Sequence, residues 1–262
     1  MDKEKYIHRI IDNKISEYLQ TFGAICIEGP KWCGKTWTSS YHSNSSIFLG
    51  DPAGNFQNRK LAEMSPDLIL DGDFPRLIDE WQEVHLVWDA VRYKVDHIPQ
   101  KGQYILTGSA TPDNKGIMHS GAGRIAKLRM RPMSLYESGD SSGRVSLEEI
   151  CHGKIMPVMS GEVDLRELIR LIVRGGWPGS LELPVNQAAL LPMEYLNAVI
   201  DDDVYRMDGI KRNTIKMKLL LRSLARNEST TVTNKTLKND IKEVDDENID
   251  VETVKEYLDI FA

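Results

Sequence analysis

Tyr6, Ile10, Ile11, Ile15, Tyr18 and Leu19 recur at mostly helical spacing with charges between them, which predicts an amphipathic opening helix over residues 6–19. Gly23 breaks that period. Ala24, Ile25, Cys26 and Ile27 then form a short unbroken apolar run, the pattern of a strand buried on both faces of a parallel sheet. Further strands are predicted at residues 46–49, 76–78, 103–107 and 125–130, with helices between them such as residues 84–95. Strands alternating with helices make this part of the chain α/β.

Past Pro132 the pattern changes. Ser141, Ser142 and Gly143 read as a loop, no convincing parallel-strand run follows, and a domain edge is expected near residue 160. Leu165, Leu168, Ile169, Leu171, Ile172 and Val173 mark a helix over residues 164–174, stopped by Gly175, Gly176, Trp177, Pro178 and Gly179. Two more helices are predicted at residues 194–205 and 214–226, and residues 236–241 and 251–261 resemble the paired helices of a helix-turn-helix. The last of these ends on Leu258, Ile260 and Phe261 with nothing in the sequence to cover them, so a further C-terminal part is expected.

Chemistry enters at the end of the first strand. Gly29, Pro30, Lys31, Trp32, Cys33, Gly34, Lys35 and Thr36 match GxxxxGK(S/T), a loop whose backbone N–H groups wrap phosphates while the lysine reaches the terminal phosphates and the hydroxyl binds Mg²⁺. The match sits directly after a strand and before a helix, as the mechanism demands. Trp32 and Cys33 fill positions where only backbone is required. Trp37, one residue on, reads either as packing or as a neighbour of the nucleotide.

Residues 76–80 form an apolar strand ending in two acids. Asp79 would hold Mg²⁺ through water and Glu80 would orient or deprotonate the attacking water. Alone, such a pair reads equally as a solvated helix start; the phosphate loop tips the balance to a Walker B strand. Enough chain lies between Thr36 and Asp79 for another strand and crossover, which suggests the class with a strand between the two Walker strands. Residues 103–109 give a third strand ending in hydroxyls, so Thr107 and Ser109 are either sensors of the terminal phosphate or caps of a turn. Arg124 follows a glycine-containing loop and is either a cation that stabilises charge on the transferred phosphoryl group, within a subunit or across an interface, or a surface arginine. Arg129, Arg131 and Arg174 are weaker candidates for the same duty.

Composition narrows the classes. A chain of 262 residues with 41% hydrophobic and 27% charged residues can build a real core and exceeds what one domain usually needs. No run approaches the ~18–20 apolar residues of a membrane span, and the polar start lacks a secretory core, so no membrane partner and a cytoplasmic location are expected. Three cysteines without a CxxC pair give no disulfide framework, and the scattered histidines give no HExxH zinc site. The adjacent Cys151 and His152 read as structural. A net charge of −6 argues against a broadly basic nucleic-acid surface but leaves room for a local patch such as Lys211, Arg212, Lys216, Lys218, Arg222 and Arg226.

Residues 28–36, 76–82, 106–112 (Leu106-Thr107-Gly108-Ser109-Ala110-Thr111-Pro112) and 131–137 (Arg131-Pro132-Met133-Ser134-Leu135-Tyr136-Glu137) together resemble the prokaryotic AAA-superfamily P-loop ATPases that carry a winged helix and a nuclease-like C-terminal domain of unknown function. The 174–179 element and residues 221–227 look like the same family, so the resemblance covers nearly the whole chain. It implies an α/β P-loop fold of the AAA type with a five-stranded parallel sheet (residues 1–160), a helical lid (161–212) and the start of a winged helix (213–262). The nuclease-like part is not in this sequence, and no nuclease activity is expected.

The leading expectation is an Mg²⁺-dependent ATPase using ATP, with Glu80, Thr107, Ser109 and Arg124 catalytic and the 29–37 stretch binding nucleotide. The competing one is a slow nucleotide-gated switch that contacts DNA or a protein through its helix-turn-helix; a homo-oligomer fits an arginine acting across an interface. A metabolite kinase is the third class, for which no acceptor site is visible. The loop grips phosphates and is nearly blind to the base, so ATP against GTP is not read from it.

Overall fold

The computed structural model describes residues 3–109, 120–154, 157–159, 161–205 and 209–261. Packing divides the chain into two compact units, Met1–Ala188 and Ala189–Ala262. The first holds five strands, β1 (Ala24–Gly29), β2 (Ser45–Phe48), β3 (Arg76–Asp79), β4 (Tyr104–Ser109) and β5 (Ile125–Arg129). They form one sheet in the order β2-β3-β4-β1-β5, and every pairing is parallel. β4 lies between β1 and β3, so another strand does separate the two Walker strands, as the spacing predicts.

The apolar run of β1 is explained by period two across a sheet covered on both faces. Ala24 and Cys26 enter one core with Leu106, Ile78, Trp81 and Trp88, whereas Ile25 and Ile27 enter the other with Ile15, Leu77, Ile105 and Leu128. The second core is closed by α1 (Ile11–Thr21) and lies under the helix that follows the phosphate loop, α2 (Lys35–Tyr41). The first core is closed by α3 (Ala53–Met64), α4 (Asp67–Leu70) and α5 (Leu86–His97). Truncating a side chain as buried as Leu77 in such a core costs about 2–5 kcal/mol.

α1 begins at Ile11, later than the apolar spacing predicts, because Tyr6 does not continue the helical face. Its hydroxyl instead donates to Asp12 Oδ1 at 2.7 Å and is hydrogen-bonded to the Thr38 hydroxyl at 3.1 Å, and its ring stacks on Tyr41 at 4.1 Å. After the sheet come α6 (Leu147–Cys151), α7 (Leu165–Arg174) and α8 (Val185–Ala188). Asp164 caps α7 by accepting from Glu167 N–H at 2.7 Å.

The described elements of the second unit are all helical. It contains α9 (Leu190–Ala198), a π-helical turn Val199–Asp203, α10 (Thr214–Arg226), α11 (Asn234–Asp245) and α12 (Val251–Phe261). Asn213 and Thr233 cap α10 and α11, accepting from the backbone of Lys216 and Thr236 at 3.1 Å each. Its core joins Met217, Leu220, Leu237, Ile241, Val254 and Tyr257, one apolar stripe from each of the last three helices. No wing strand occurs among the described residues. No helix among the described residues is long and apolar enough to cross a membrane.

Candidate functional site

Parallel strands bring their carboxyl ends to one edge, and the open crevice outside that edge is where α/β sheets place their chemistry. β1 ends at Gly29, β3 at Asp79 and β4 at Ser109, all on that edge. The loop leaving β1 turns into α2 through Gly34, whose φ of 101° is left-handed and suits glycine. Trp32 also has positive φ, 66°, which shapes the loop for a nest of N–H groups.

Lys35 is only 7% exposed, and its ammonium donates to the loop carbonyls of Gly29 at 2.9 Å and Pro30 at 3.0 Å. Thr36 Oγ1 donates to Asp79 Oδ1 at 2.9 Å, and Thr107 Oγ1 donates to the same oxygen at 2.6 Å. Glu80 N–H in turn donates to Thr107 Oγ1 at 3.1 Å. Residues from two strands, β3 and β4, and from α2 thus meet on one carboxylate oxygen, although 28 and 43 positions separate Thr107 and Thr36 from Asp79 in sequence.

Glu80 stands in the left-handed region (φ 56°) at the head of the turn Trp81–Glu83, and its carboxylate accepts from Gln82 Nε2. Burial pushes its pKa up; the bond from Gln82 opposes that, and the neighbouring Asp79 charge reinforces it. A carboxylate raised in this way is a better proton acceptor than a solvated one. Thr36 and Asp79 present hard oxygen donors side by side, a small protein set of the kind Mg²⁺ uses when phosphates and water fill its remaining positions. Among the described residues no cluster of three or more His, Cys, Asp or Glu could hold a metal by itself.

Cys33 is buried, and burial raises its thiol pKa against the nearby Lys35 charge, which makes it an inert packing group. Trp37 is partly exposed and, with Tyr41 and Phe48, lines a cavity of about 220 Å³ beside α2. The side chain of Ser109 and the stretch 110–112 lie outside the described residues.

The arginines differ from expectation. Arg124 stands just before β5, where its carbonyl accepts from Ala24 N–H at the start of β1, so it belongs to the amino edge of the sheet. Its guanidinium donates to Asp96 Oδ1 at 2.9 Å. Five or six residues of strand at about 3.3 Å each separate that edge from the phosphate loop, which excludes a role for Arg124 at the loop of its own chain. Arg174 is 4% exposed and committed to Asp140 Oδ2 at 2.6 Å, so it faces a carboxylate rather than a phosphate position. Arg129 leaves β5 beside Glu28, and Arg131 is exposed.

One residue of this neighbourhood escaped the sequence. Arg9, 7% exposed, donates from Nη1 to the Cys33 carbonyl and from Nη2 to the Arg131 carbonyl, both at 2.8 Å, and from Nε to Glu137 Oε1 at 2.9 Å. Burial pushes the Glu137 pKa up, but the bonds it accepts from Ser134 N–H, Ile10 N–H and Arg9 prevail and hold it below the usual carboxylate range.

With this geometry in place, the chain can be set beside known proteins. Residues 21–139 match the family model of an AAA domain, and residues 165–262 match a domain of unknown function (DUF8612). No curated protein sequence matches the chain. The fold is similar to the Walker-type ATPase PABY2304 of Pyrococcus abyssi, at 14% identity, with 98% of this chain and 90% of that chain covered and a TM-score of 0.52. AMPPCP-bound DnaA from Aquifex aeolicus (11% identity, 98% and 89% covered, TM-score 0.44) and RuvB from Thermotoga maritima (16%, 97% and 88%, 0.38) overlap more loosely.

Proposed function

We propose that the chain, whose residues 21–139 match the family model of an AAA domain, hydrolyses ATP with Mg²⁺ and uses the cycle to move a protein-docking helical unit. The convergence of Thr36 and Thr107 on Asp79, with Glu80 tied to Thr107, is the observation that carries the reading. Thr36 and Asp79 are the residues that would hold the metal, which when bound offsets phosphate charge. Lys35 supplies a fixed positive charge at the cradle, and Glu80, its pKa lifted by burial, takes a proton from the attacking water. Thr107 holds Glu80 by its backbone and Asp79 by its carboxylate, so a change at one acid reaches the other. Residues 1–160 are the catalytic domain in this reading, 161–212 the lid and 213–262 the docking part. Arg124 serves catalysis only across an interface between copies.

The docking partner is read from charge. Segment 234–261 carries four lysines against nine carboxylates, and the basic groups before it are partly spent within the unit. Arg226 pairs with Asp240 and Asp245, Arg212 with Glu256 and Lys218 with Asp201. Such a surface repels a phosphate backbone and suits a protein with a basic face.

Glu80→Gln tests the catalytic part: ATP affinity is retained while phosphate release falls about 10²- to 10⁴-fold, and equal hydrolysis by the variant sinks the assignment. A duplex titration at two salt concentrations tests the partner. Absence of binding at low salt is expected, and salt-sensitive binding returns the helix-turn-helix to DNA.

A further inference from the structure

Two motifs, residues 131–137 and 174–179, take no part in the chemistry above, yet both bear on the phosphate loop, the second directly and the first through Arg9. The Trp177 indole N–H donates to the Lys31 carbonyl at 3.1 Å, and Arg9 Nη1 donates to the Cys33 carbonyl at 2.8 Å. A peptide unit is planar and trans, so its N–H points opposite its C=O. A donor gripping the Lys31 carbonyl from outside therefore turns the Trp32 N–H inward, and a donor on the Cys33 carbonyl does the same for the Gly34 N–H. We infer that Arg9 and Trp177 are positioning residues that aim these two loop amides at the phosphates of the bound nucleotide. Neither touches the reacting atoms.

Both donors are themselves anchored. The Arg9 fork is held by Glu137, whose other oxygen accepts from Ser134 N–H at 2.7 Å and Ser134 Oγ at 2.8 Å, and Arg9 also grips the Arg131 carbonyl. This assigns a task to the 131–137 motif: it is the wall against which the guanidinium is braced. The Trp177 turn is anchored where Met133 N–H donates to the Gly176 carbonyl at 2.6 Å. A Cβ at Gly176 would stand 2.3 Å from the Met133 carbonyl oxygen, so only glycine permits this approach. Pro178 and Arg9 then flank Gly34, with Pro178 Cγ at 3.6 Å and Arg9 Nη1 at 3.2 Å from where a Gly34 side chain would begin. One frame behind β5 thus supports the loop through two separate carbonyls.

The inference rests on the nucleotide-binding reading, and the experiment separates the two. ADP and ATP dissociation constants and the nucleotide-free thermal midpoint are measured for the full chain and for Trp177→Phe, Arg9→Lys and Lys35→Ala. Trp177→Phe keeps an aromatic ring and removes the indole donor; Arg9→Lys keeps a cation beside Glu137 and loses the planar fork. Both variants are expected to weaken ADP and ATP by the same factor, about threefold to tenfold, the equivalent of one aimed hydrogen bond. The thermal midpoint of Trp177→Phe should stay at the parent value, which a merely structural role would not allow alongside lost affinity. Unchanged affinity in both variants, with Lys35→Ala binding lost, overturns the clamp and leaves the ATP site standing. Unchanged binding by Lys35→Ala overturns the ATP site itself.

Discussion

At the carboxyl edge of the sheet a carboxylate, Asp79, is held by two hydroxyls and shielded from water; at the amino edge an arginine, Arg124, is held by the exposed carboxylate of Asp96. Each lies at a strand terminus, Asp79 closing β3 and Arg124 just ahead of β5. They differ in solvent. Asp79 is buried, with two hydroxyl donors on one of its oxygens, whereas Arg124 is half exposed and its charge is screened. Strand direction alone decides which end becomes chemical, because in a parallel sheet the loops at the carboxyl edge converge on one crevice.

The sharpest way to break the contrast is at Lys35. Lys35→Ala removes the buried cation of the carboxyl edge and should cost ATP affinity about a hundredfold or more, read by titration with a fluorescent nucleotide. Thr107→Val comes next. It leaves the Glu80 N–H without its acceptor and Asp79 with one donor fewer, so hydrolysis should fall about tenfold and stability by about 1–3 kcal/mol in denaturant unfolding.

A pH profile sharpens the comparison further. Glu80 must be ionised to act as a base, and burial raises its pKa, so the acid limb of hydrolysis should lie above the ~4.3 of a solvated glutamate. A folded pKa above the unfolded one means that the stability linked to this group is full below the unfolded value and is lost as pH rises through the folded one. Glu80→Gln should therefore be the more stable protein near neutrality, with the gap closing toward pH 4. The smallest effect is expected at the other edge: Arg124→Ala should leave turnover within about twofold when the chain is dilute. A large loss that appears only at high protein concentration would place Arg124 across an interface between copies.

Much of the carboxyl edge is legible in the amino-acid sequence alone. The phosphate loop is a contiguous run, and the strand cores of β1, β3 and β4 announce themselves because both faces are buried and period two collapses into unbroken apolar stretches. What the sequence hides is whatever depends on distant pairing. Arg9 reaches Cys33, Arg131 and Glu137 across separations of 24, 122 and 128 residues, and single contacts of that kind leave no periodic trace. Arg174 reads as a phosphate ligand because its partner, Asp140, lies 34 residues upstream in a segment that looks like plain loop. Arg124 misleads for another reason: its place at the start of β5 is plain, but which edge that position faces follows only from the register with β1.

The placement of the tryptophans has an optical consequence. Of the five in the chain, Trp81 and Trp88 are sealed in the core, where their emission should be a steady blue background. Trp32 stands 55% exposed at the lip of the cradle, and Trp177 is bonded to the same loop. An anion that settles into the loop should alter the field around these two indoles more than around the sealed pair. The protein thus carries its own signal for occupancy, readable without a label.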